Sequence, residues 1–256
     1  MRYWLSSKIF EWIHSNDGGH YSDIERVTRP HALLSHCERI LDTSNSEFSV
    51  ADAVLGLKRA INIRLLHIEE LYSFCAMFPK GVGALERLER VGLARPFLVR
   101  QLFELRNEIE HNDVQAPSLY KARELVDVTW YFLKTTDSAC KVVPDGVVLR
   151  ASEEGSFPPE EWISVRPSGD QPGHFHVAGW INTSLLSQTA QNGFFEVELS
   201  TIKTKESITP NPGDEISWSA YQMNSTRSDD ERWIIGVTAL SPELRIELWR
   251  LALDAC

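Results

Sequence analysis

The sequence predicts an α+β protein: a helical bundle over residues 1–140, then a small antiparallel β sandwich or barrel over 141–256 with a C-terminal helix. Three observations carry this. Apolar residues recur every seven positions at Val54, Ile61, Ile68 and Cys75, the spacing of one helical face. Past Lys141 the pattern changes to short runs rich in β-branched and aromatic residues, separated by Pro, Gly, Asn and Asp clusters, as in an all-β domain. The hydrophobic share of 43%, with 8 Trp, 6 Tyr and 11 Phe, supplies large side chains for a packed core.

Met1 to Ser15 places Leu5, Ile9, Phe10, Trp12 and Ile13 among polar residues, a pattern that suits an amphipathic helix. A second helix runs from about Ile24 to Leu41, disturbed by Pro30. The main apolar face spans Val50 to about Ala76, with Ser49 as its cap and Phe78-Pro79-Lys80-Gly81 as its stop. A shorter helix covers Ala84 to Val91 and ends at Gly92. Pro96 suits the first turn of the next, where Leu98, Leu102, Leu105 and Ile109 share a face. Ser118 caps a last helix that keeps its period through Ala122, Val126, Trp130 and Leu133 to about Lys134. Short connections imply a bundle of four or five helices. The strands expected beyond it are Val147–Ala151, Trp162–Arg166, His174–Ile181, Phe194–Lys203, Ile216–Tyr221 and Arg232–Leu240, followed by a helix from Pro242 to about Leu253 capped by Ser241.

The net charge of -10 is unevenly spread: residues 1–140 hold 17 basic and 19 acidic side chains, residues 141–256 hold 9 and 17. The second half repels nucleic acid, whereas the first leaves room for a local basic site. No apolar run reaches the roughly 20 residues of a membrane span, and a cytoplasmic location is expected. Cys37, Cys75, Cys140 and Cys256 are dispersed with no C-x-x-C pair, so reduced thiols are expected. No cofactor fingerprint, phosphate loop or metal-ligand spacing occurs.

One short motif carries chemistry: Arg106-Asn107-Glu108-Ile109-Glu110-His111. Histidine exchanges a proton near neutral pH, its ordinary pKa being about 6.5. It can take the proton of a ribose 2'-hydroxyl or give one to the leaving oxygen. Arginine sets a fixed positive fork against the phosphate, and asparagine can orient either group. The string resembles the R-x4-6-H signature of HEPN domains, and the surrounding helices over about 50–138 are similar in layout. That resemblance implies a HEPN-like bundle and metal-independent RNA cleavage to a cyclic phosphate. It also implies a homodimer with facing sites, and the biology of a toxin or phage-defence effector held by an antitoxin or regulatory protein. Arg106 and His111 lie about 140° apart on a continuous helix at about 100° per residue, so a shared dimeric site is the natural way for them to converge.

Arg95 and Arg100, with Arg87 and Arg90, are candidates for a phosphate path leading to the motif. Glu86, Glu89 and Glu104 interleave with them, which equally describes a salt-bridged solvent face. Arg106 and Glu110 could likewise be a plain surface pair. The rival function is a non-catalytic interaction module with a ligand- or protein-binding β domain. His174-Phe175-His176 sets two imidazoles on one strand face. A third metal ligand is missing, and solvent-facing histidines are the plainer reading.

Overall fold

A computed structural model of the chain describes every residue except 45, 96, 98, 101–102, 105–114, 152–160, 170, 172, 209–226 and 255–256. The chain forms two compact units, Met1–Gly19 with Pro144–Ala255, and His20–Val143. The helical unit is therefore an insertion in the sheet unit. Met1 to Ser15, expected to form an amphipathic helix, gives two strands joined by a 3-10 turn, Ser7–Glu11, and belongs with the sheet. Two short strands, β3 (Gly19–Tyr21) and β4 (Val142–Pro144), pair where the chain passes between the units.

The helical unit is built on α1 (Ile24–Thr43), α2 (Glu47–Tyr72) and α4 (Leu119–Lys141), which pack on one another, with a short α3 (Ala84–Arg90). Each start has a local cause. Asp23 accepts from the Glu25 N–H, Ser46 from Ser49 and Ser118 from Lys121, satisfying amides that the first helical turn leaves without partners. The cap of α2 is thus Ser46, three residues before the expected Ser49. Gly92, at φ +77°, supplies the left-handed residue past α3. Within α2, Val50, Val54, Leu57, Ile61 and Ile68 are buried. Gly56 lets α1 come close: a Cβ there would lie 2.5 Å from the Cys37 sulfur. Along α4, Ala122, Val126 and Leu133 are buried as expected, whereas Trp130 is 42% exposed and its neighbour Thr129 takes the core position.

The sheet unit is one eight-stranded antiparallel sheet. Its strands are β1 (Arg2–Ser6), β2 (Ile13–Asn16), β5 (Val147–Arg150), β6 (Trp162–Pro167), β7 (His174–Asn182), β8 (Leu186–Ser187), β9 (Phe194–Lys203) and β10 (Glu231–Ala239). Their spatial order is β2-β5-β6-β7-β10-β9-β1-β8. Among the described residues this is a single sheet with β2 and β8 at its edges, in place of the sandwich or barrel expected. The N-terminal strands explain the difference. β1 pairs with β9 and β2 with β5, which widens one sheet at two places. Of the expected strands, Ile216–Tyr221 lies outside the described residues.

Strict alternation buries Phe195, Val197 and Leu199 of β9 and exposes Glu196 and Glu198, as a sheet with one covered face requires. At one end, Trp180, Trp233 and Ile208 form a buried cluster with Trp162 against it. Gly179 of β7 lies opposite Ile163 of β6; a Cβ there would strike the Trp162 carbonyl oxygen. Helix α5 (Pro242–Asp254) lies against β2 and β5. No helix among the described residues is long and apolar enough to cross a membrane.

Candidate functional site

Arg106, Asn107 and His111 lie outside the described residues, as do Leu98, Leu102, Leu105 and Ile109. Around them, positions 97, 99, 100, 103 and 104 are helical, and Ser118 caps α4. The arginines before the motif are largely engaged. Arg100 pairs with Glu89 at 3.0 Å, Arg90 with Glu86 at 2.6 Å and Arg87 with Glu69 at 3.4 Å, while Arg95 is exposed. Two interleaved glutamates, with Glu69 of α2, thus neutralise three of the arginines considered for a phosphate path.

The helical unit holds a buried polar cluster that sequence reasoning missed. Arg64 stands on the buried stripe of α2 and is 0% exposed. Its Nη2 donates to Asp137 Oδ1 at 2.8 Å and to the Val27 carbonyl at 3.1 Å, and its Nη1 to the Thr136 carbonyl at 3.3 Å. Asp137 Oδ1 also meets His31 Nε2 at 2.9 Å, and Lys141 approaches Oδ2 at 3.5 Å. One guanidinium thereby ties α1, α2 and α4 together. Burial alone would raise the Asp137 carboxyl; hydrogen bonds from His31 and Arg64 and the Arg64 charge outweigh it and hold the pKa below the ordinary carboxylate value.

Beside it, His67 is buried on α2 with Nε2 3.5 Å from the Ser22 hydroxyl, which itself donates to the Cys140 carbonyl. Burial, with the charges of Arg64 and Arg26, pushes the His67 pKa down, which keeps the ring neutral. Its Nδ1 is buried without a hydrogen bond, 4.0 Å from Glu70, which is ion-paired to Arg26. A serine, a histidine and a glutamate in sequence of contact invite comparison with a nucleophilic triad. The hydrogen bonding argues otherwise. The serine proton is committed to a carbonyl, so the hydroxyl is not activated by the ring as a nucleophile must be. The cluster clasps the start of the helical unit, at Ser22, to its end, at Cys140. Its sequence signal was Arg64 itself, a charge at a position where the stripe of Val50, Val54, Leu57, Ile61 and Ile68 calls for an apolar residue.

On β7, His174 and His176 share a face with Phe175 buried between them. No group of three or more His, Cys, Asp or Glu among the described residues is arranged to hold a metal ion. Cys37 and Cys140 are buried free thiols and Cys75 an exposed one; burial pushes Cys37 up to about 11. Compared with family models, curated proteins and solved structures, the chain matches none.

Proposed function

We propose that the chain is a metal-independent endoribonuclease of the HEPN type, acting as a homodimer through its helical unit. The observation that carries the reading is the motif Arg106-Asn107-…-His111. Its setting supports it: a long α2 precedes it, helical positions lead towards it from residue 97, and the capped α4 follows. His111 moves the proton of the 2'-hydroxyl or of the leaving oxygen, Arg106 faces the phosphate charge, and Asn107 orients them. The 2'-oxygen bonds to phosphorus as the bond to the 5'-oxygen breaks, leaving a cyclic phosphate and a 5'-hydroxyl. RNA is the substrate, and an antitoxin or regulatory protein restrains the activity.

The test incubates purified protein with total RNA and EDTA, wild type beside His111→Ala and Arg106→Ala. Cleavage should fall by about 10²–10⁴ in the histidine variant, the usual loss for a general acid–base, and growth inhibition on expression should be relieved with it. Equal cleavage by all three would assign the activity to another site or a contaminant. The Arg87, Arg90 and Arg100 ion pairs favour a second reading, a non-catalytic interaction module. No cleavage by the wild type and no effect on growth would select it.

A further inference from the structure

We infer that the face of the sheet between β7 and β9 is a binding site for a small organic cation, an amine or guanidinium on an alkyl stem. The register of three strands builds it. Val237 of β10 stands between His176 of β7 and Glu198 of β9, and Ala239 stands opposite His174. Glu196 follows two residues from Glu198 on the same face. Small apolar side chains therefore floor a trough, with imidazoles along one wall and carboxylates along the other. The walls are two strand spacings apart, about 9.5 Å. His174, Gln171, Glu196, Glu198, Val237 and Ala239 line an open cavity of ≈ 520 Å³, within the range of about 300–1,000 Å³ usual for small-molecule sites.

The occupant's chemistry follows from the walls. The chain already seats one guanidinium there: Arg2 Nε lies 2.8 Å from Glu196 Oε1. Glu198 stands directly across from Arg2 in the pairing of β1 with β9, yet it has no ion pair among the described residues. A second cation is what that wall lacks. Across the floor, His174 lines the same cavity, and the alkyl stem lies over Val237 and Ala239. The excess of acidic residues in 141–256 draws cations to this unit and turns anions away. The inference is independent of RNA cleavage, because every residue in it belongs to the sheet unit.

The test titrates the full chain with agmatine and, as the anion of similar length, butanoate, by calorimetry at two salt concentrations. Agmatine should bind saturably and butanoate should not. Glu198→Gln removes the charge without changing shape, and Ala239→Leu fills the floor. Each should weaken agmatine about ten-fold or more, as expected for a lost charged hydrogen bond or an occluded site, with melting temperatures unchanged. Glu243→Gln, an exposed acid on α5, should bind as wild type. Absence of saturable binding would overturn the site. So would equal weakening by Glu243→Gln, which would mark general attraction to an acidic protein.

Discussion

Arg64 in the helical unit and Arg227 in the sheet unit are both buried, at 0% and 4% exposure, and their surroundings differ in kind. Arg227 has an ion-pair partner on its own segment. Glu231, four residues on, lies 3.3 Å from its Nη1, and its guanidinium sits 5.4 Å over the Trp180 ring. Burial still pulls its pKa down, with Glu231 opposing. Arg64 draws its acceptors from 37 and 73 residues away. In the sheet unit backbone pairing between strands sets which segments are neighbours, and the buried charge is an addition to it. In the helical unit each helix satisfies its own backbone, so something else must select the mutual register of α1, α2 and α4. Arg64, through Asp137 and the Val27 and Thr136 carbonyls, is the buried polar contact that reaches all three.

The largest expected effect breaks this difference directly. Arg64→Met leaves Asp137 buried without its main partner and should destabilise the protein by about 3–5 kcal/mol in urea unfolding. Combining it with Asp137→Leu should recover most of the loss, because an apolar pair needs no compensation. A single-variant loss no larger than that of an exposed substitution would mean that packing alone sets the helix register.

Next come the two glycines of close approach. Gly179→Ala drives a methyl into a backbone oxygen of β6, which cannot rotate away, and should cost about 1–3 kcal/mol or more. Gly56→Ala meets only the Cys37 side chain. Its penalty should be smaller and should vanish in Gly56→Ala with Cys37→Ala, since alanine gains about 1 kcal/mol over glycine inside a helix. Equal melting temperatures for the two single variants would erase the contrast between rigid sheet and adjustable helix contacts.

The smallest effect is on pH. His67 and Asp137 both bind protons less readily folded than unfolded, so the unfolded chain takes up more protons as pH falls and stability declines in that direction. The His67 contribution sets in below its unfolded value of about 6.5, and that of Asp137 below about 3.9. His67→Gln should remove the upper phase of a plot of unfolding free energy against pH and leave the lower one. Stability that rises on acidification from neutral pH would contradict both.

Local signals were legible in the sequence, and their limits follow from what they measure. The period through Val54, Ile61 and Ile68 found α2, and Ser118 marked the start of α4, because capping and amphipathicity act within a few turns. Cys75 continued the arithmetic but lies beyond the helix, which stops at Tyr72 with Ser73 left-handed at φ 52°. The strands His174–Asn182 and Phe194–Lys203 were readable from alternation. β1 was not: Leu5 and Ile9 are buried as expected of core residues, but four-residue spacing suits a helix, and pairing with β9 and β8 makes Arg2–Ser6 a strand. The polar clasp was invisible as a cluster, since Ser22, His31, Arg64, His67 and Asp137 meet only after folding. The trough was half visible, as two histidines on one strand face, without the glutamates that β10 separates from them.

The insertion of His20–Val143 between the first strands and their partners also fixes an order of events at the ribosome. The Met1 amino group hydrogen-bonds the Leu199 carbonyl, 198 residues on, so β1 waits unpaired through most of translation. α1, α2 and α4, with Arg64 and Asp137 between them, are complete once Val143 has emerged. Domains generally fold as units during synthesis, and here the later half of the chain must return to capture its own beginning. A nascent chain stalled shortly after residue 143 has cleared the exit tunnel should therefore already protect the helical segment from protease while Met1–Gly19 stays open to cleavage.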